Sequence, residues 1–116
     1  MEPRGARTLR VVTATGPFST RPRYRSLAVL FMLIERLKDP IGIYRRGRDK
    51  GRMLPDGLQY VSSWVDLGFD RCWQLMETDD ERLLDAWIAR WSDLIDFEIV
   101  PVVSSKEASE RIAPRL

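Results

Sequence analysis

The sequence predicts an α+β fold of the ferredoxin-like kind, βαββαβ, with a four-stranded antiparallel sheet and two helices on one face. Three observations predict it. An uninterrupted apolar run, Leu27 to Ile34, stops at Glu35-Arg36; it is short for a core helix and right for a strand buried on both faces. Two strand-like segments, 58–66 and 71–78, are separated only by Leu67-Gly68-Phe69-Asp70, the spacing of an antiparallel hairpin. A helical stripe, Leu84, Trp87, Ile88 and Trp91, then leads into another strand-like segment.

Each element has a local cause. Residues 27–36 form the first strand. Asp39-Pro40 supplies an N-cap and a first-turn proline for a helix over 40–53. Gly47 and Gly51 weaken that helix, each by up to about 1 kcal/mol relative to Ala, and permit close packing against a sheet. Pro55-Asp56-Gly57 is a turn. In strand 58–66, alternation puts Tyr60, Ser62 and Trp64 on one face and Val61, Ser63 and Val65 on the other. Thr78-Asp79-Asp80-Glu81 has the form of a capping box, with Thr78 as N-cap. The helix after it carries the stripe, joined by Leu83, Leu94 and Ile95. Segment 96–103 is a strand whose Pro101 suits an edge. Ser104 or Ser105 caps a last helix, 106–113, stopped by Pro114.

The chain has 116 residues, enough for one core. It contains no His and no Asn, and one Cys. A His-based triad, a His-ligated metal and a Cys-rich zinc site are excluded, and no cofactor motif stands out. A disulfide within the chain is impossible, so a cytoplasmic protein is expected. The longest apolar run is far below the roughly 20 residues of a bilayer span.

Charge divides the chain. Residues 1–26 carry six Arg against Glu2, whereas Asp and Glu outnumber Lys and Arg over 27–116. The body therefore has no footprint for nucleic acid. The leader is read as a disordered basic extension or a mis-called start. A nucleic-acid arm and a transit peptide are its competing readings. Residues 27–116 are read as a single domain.

Two helices cover one side of such a sheet. The other side would carry Tyr60, Trp64, Trp73 and Leu75, with Trp64 opposite Trp73, beside the run Leu27 to Ile34, which is apolar at every position. Soluble monomers rarely leave such a patch open. Two copies packed face to face would close it, so a homodimer is expected.

The segments LFMLIER (30–36), GRMLPDGLQYVSSWVD (51–66), RCWQLMETDD (71–80) and AWIARWSDLIDFEIVPVVSSKEA (86–108) resemble a bacterial family catalogued as a domain of unknown function, family 3303, among the dimeric α/β barrels. The resemblance covers about 28–110 and none of the leader. It implies a dimeric α/β barrel and no particular activity. Gly47 departs from the pattern, since members tend to carry a bulky apolar residue there.

Candidate site residues follow from the faces. Ser63, Cys72 and Gln74 alternate onto the side expected under the helices. They either line a small-ligand cavity there or, for Ser63 and Gln74, satisfy each other across the hairpin. Cys72 lacks a His to act as base and reads as a buried structural thiol. Glu35, Glu77 and Glu98 lie in or at the ends of apolar strands. A pocket carboxylate can act as acid or base, whereas a rim carboxylate pairs with Arg36, Arg71 or Arg90. Ser63, Cys72, Gln74, Glu77 and Glu98 are the candidate pocket set. Trp87 and Trp91, at i, i+4, read as core. The run Arg45–Arg52 reads as a solvated helix face, and GRDKG (47–51) lacks the residues that complete a phosphate loop.

Two functions stand beside a nucleic-acid role for the leader. One is a dimer that holds a small organic ligand between sheet and helices. The other is a cofactor-independent enzyme, like the monooxygenases and isomerases of the dimeric barrels. With His and Asn absent, Glu77, Arg71, Tyr60 and Trp64 come nearest to a catalytic set.

Overall fold

The computed structural model describes residues 29–116. The expectations for residues 1–26, and for a first strand beginning at Leu27, lie outside the described residues.

Among the described residues, four strands and three helices follow in the order β1 (Val29–Leu37), α1 (Pro40–Lys50), β2 (Gln59–Val65), β3 (Arg71–Thr78), α2 (Glu81–Ala89), β4 (Ile95–Val102) and α3 (Ser105–Ile112). A short 3-10 turn, Ala113–Arg115, ends the chain. The sheet order is β2-β3-β1-β4, antiparallel at every pairing. The βαββαβ order, the antiparallel sheet and the last helix, α3, are as the sequence predicts. β4 is an edge strand, which accommodates Pro101.

Alternation sorts the sheet into two faces. Phe31, Leu33, Glu35 and Leu37 of β1, and Cys72, Gln74, Met76 and Thr78 of β3, are all buried on the helix side. Leu84, Trp87, Trp91, Ile95 and Ile99 complete the core with them. The opposite face presents Leu30, Met32 and Ile34, with Trp73 and Leu75 paired alongside, and Val100 opposite Met32.

Local chemistry sets the helix ends. The Asp39 side chain accepts from the Gly42 N–H at 3.0 Å, and Pro40 opens α1. Gly51, with φ of 70°, closes α1 three residues before the expected end. The N-cap of α2 is Asp80, whose carboxylate accepts from the Arg82 N–H. Thr78 instead accepts from the Asp80 N–H at 3.1 Å. The predicted capping box is therefore replaced by a hydroxyl turn followed by an aspartate cap, because an Asp at 80 reaches the first turn directly. α2 ends at Ala89, so Trp91 acts from the turn that follows and Ile95 already opens β4. Ser104 caps α3 through the Glu107 N–H at 3.0 Å. Among the described residues, no helix is long and apolar enough to cross a membrane.

The two helices beside the sheet differ in how they pack. α2 buries Leu84 and Trp87, whereas α1 buries no residue. α1 is tethered at its polar side. Arg46 makes a bidentate pair with Asp93, at 2.9 and 2.7 Å, and donates to the Arg90 carbonyl. The space between α1 and the sheet is left open.

Candidate functional site

That space is a cavity of about 480 Å³, within the size range of small-molecule sites. Its walls are apolar: Leu37, Ile43, Val65, Trp87, Trp91 and Ile95. The floor is polar, with Glu35, Cys72, Gln74 and Ser63 on the strands. Tyr44, Arg48 and Arg52 line the α1 side. A Cβ built on Gly47 would meet nothing within 4 Å. Gly47 therefore leaves room in the cavity instead of allowing a close approach to the sheet.

Glu35 is the central group. It is 3% exposed and projects from the last third of β1 to the helix side because it shares the parity of Leu33 and Leu37. The Gln74 amide donates to its carboxylate at 2.6 Å. Burial pushes the carboxyl from 4.5 up to about 7, and hydrogen bonds from Gln74 and Cys72 and the charge of Arg52 only partly oppose this. Cys72 lies against Glu35, and burial together with that carboxylate pushes the thiol up to about 12. Such a thiol stays protonated and inert at neutral pH.

Arg52 forms the other pole. Its Nε donates to the Gln74 amide oxygen at 3.3 Å, so one amide bridges guanidinium and carboxyl. Its guanidinium lies over the Tyr60 ring, 3.6 Å from the centroid. The Tyr60 hydroxyl shares a hydrogen bond with Ser63 at 2.8 Å. The Arg52 backbone is fixed as well, because the indole N–H groups of Trp87 and Trp91 both donate to its carbonyl, at 2.8 and 3.1 Å. Among the described residues, no carboxylate lies within ion-pair distance of Arg52.

Tyr60 reaches this position through a β-bulge. It pairs with Met76, but the register then shifts, so that Ser62 pairs with Leu75 and Ser63 with Gln74. The extra residue, Val61, turns Tyr60 to the cavity side with Ser63 and Val65. The expectation that Tyr60 shares a face with Trp64, Trp73 and Leu75 is corrected on this ground. Trp64 and Trp73 do stand opposite each other, with Leu75 on the same face.

Of the candidate pocket set, Ser63, Cys72 and Gln74 meet in the cavity and Glu77 and Glu98 do not. Glu77 pairs with Leu30, and Glu98 with Ile34. Both therefore lie on the open face, and their place in the pocket set is corrected. Ser63 and Gln74 do not bond to each other but to Tyr60 and to Glu35 and Arg52. Trp87 and Trp91 are core residues, 2% and 4% exposed, and also cavity walls. Arg52 lies within the run Arg45–Arg52, whose pattern reads as a solvated face. Its one sequence signal was indirect, since buried indole N–H groups need acceptors. Among the described residues, no cluster of three or more His, Cys, Asp or Glu is placed to hold a metal.

A family model described as "Domain of unknown function (DUF3303)" matches residues 29–116, the whole described fold including α3. No curated protein and no solved structure matches the chain.

Proposed function

The chain belongs to the family described as domain of unknown function DUF3303, and from that premise we propose that it works as a homodimeric small-ligand-binding protein of the cytoplasm. The observation that carries this reading is the cavity under α1, with apolar walls around the buried Glu35-Gln74 pair. An apolar cavity with a few convergent polar groups is the usual form of a small-molecule site. An ionisable group at its floor is costly for stability, and binding is a reason to keep it.

The open sheet face supports the dimer. Trp64 is 56% exposed beside Trp73, and Leu75, Met32, Ile34 and Val100 extend the surface. A second copy closes such a face by two-fold symmetry, placing the two cavities on the outer sides of the paired sheets.

Native mass spectrometry of protein purified without denaturation tests the cavity. Wild-type protein should carry a small organic adduct, and Gly47→Leu, which fills the space, should carry none. Equal spectra for the two proteins would contradict the reading.

A second reading, cofactor-independent isomerase-like chemistry, is supported by one feature: Glu35 exchanges its proton near neutral pH. It requires carbon-bound hydrogen of the bound molecule to exchange with solvent deuterium, and Glu35→Gln to abolish that exchange.

A further inference from the structure

We propose that the cavity selects a hydroxylated aromatic carboxylic acid, its carboxylate held by Arg52 and its hydroxyl by Glu35. The inference rests on the cavity reading and deepens it.

Three features support the carboxylate. The Arg52 guanidinium lines an apolar cavity, and no carboxylate of the described residues pairs with it. Its other positively charged neighbour on the wall, Arg48, is already paired with Asp49 at 2.8 Å. A guanidinium presents a planar fork that matches a carboxylate. Tyr60 and Gln74 hold that fork in place from its face and its Nε edge, so little freedom is lost when an anion docks.

The second group must suit Glu35. A ligand carboxylate there would meet a like charge, and an ammonium would face the Arg52 charge one amide away. A hydroxyl both donates and accepts, so it bonds Glu35 in either protonation state. The ligand body must suit Trp87 and Trp91, whose rings are fixed by their bonds to the Arg52 carbonyl. Apolar walls that include two indoles suit an aromatic ring. Because one amide spans the two poles, the two ligand groups sit on one ring.

The test is titration calorimetry with three probes: a hydroxynaphthoic acid bearing its two groups meta on one ring, its methyl ester, and plain naphthoic acid. Wild-type protein should bind the hydroxy acid at least about tenfold more tightly than either of the others. Arg52→Met should remove the preference for acid over ester. An unchanged urea-unfolding midpoint reports an intact fold, since the Arg52 carbonyl, not its side chain, anchors the indoles. Equal wild-type affinities for acid and ester would overturn the ligand class while the adduct seen by mass spectrometry upheld the cavity. Failure of all three probes would also overturn the ligand class, and a protein that carries no adduct would overturn the cavity reading with it.

Discussion

Trp87 donates its indole N–H to the carbonyl oxygen of Arg52 at 2.8 Å. This bond joins the core to the site. Trp87 belongs to the stripe that folds α2 onto the sheet, while Arg52 belongs to the segment that carries charge to the cavity. With the second bond from Trp91, the irregular stretch after Gly51 is tied to the core at one carbonyl.

Trp87→Ala should therefore cost about 3–5 kcal/mol of stability in urea unfolding, the range for a buried aromatic removed from a core. A loss below about 1 kcal/mol would show that Trp87 is not a core anchor.

Stability should fall as pH rises through the window of Glu35. Its carboxyl is raised from 4.5 to about 7, so the folded protein holds that proton more tightly than the unfolded chain. Its stabilising share is fully present below about pH 4.5 and is lost as pH climbs to about 7, a loss of roughly 3 kcal/mol. The lowered carboxyls of Asp66, Asp80 and Asp93 act in the opposite sense and at lower pH. Unfolding measured from pH 5 to 8 should show the decline in wild type and a flat profile in Glu35→Gln. A flat wild-type profile would place Glu35 in water.

Gly47→Leu should gain about 1 kcal/mol of stability from helix propensity, because the new side chain meets open space. It should also abolish binding of the hydroxynaphthoic acid. A more stable protein that still binds would locate the ligand elsewhere.

The elements were legible in the sequence, and the site only in part. Strand β3 alternates cleanly and has the predicted bounds, so Cys72 and Gln74 could be assigned to one face. The bulge at Val61 had no marker: Val61-Ser62-Ser63 contains neither Gly nor Pro, and an unmarked insertion inverts the parity of every residue before it. That is why Tyr60 lies on the cavity side of the sheet. Glu35 sits in a run apolar on both faces, where composition gives no parity. Glu77 has the opposite parity from Gln74, so alternation alone would have placed it on the open face. Glu98 needed the β1–β4 register. Arg52 depends on Gln74, Tyr60 and both indoles, contacts that a local pattern does not encode.

Trp64→Arg should convert a dimer into a monomer, or into insoluble protein, at micromolar concentration, because it buries an unpaired charge in the paired sheets. Sedimentation showing a wild-type monomer, or an unchanged dimer in the variant, would contradict the dimer face.

The four Trp residues divide two and two, with Trp87 and Trp91 walling the cavity and Trp64 and Trp73 on the open face. Their indole N–H signals in a nitrogen–proton correlation spectrum are thus the most direct probe of where a ligand sits. Adding the hydroxynaphthoic acid should shift the Trp87 and Trp91 signals and leave those of Trp64 and Trp73 in place. Shifts confined to Trp64 and Trp73 would put the ligand on the open face and contradict the cavity as the site.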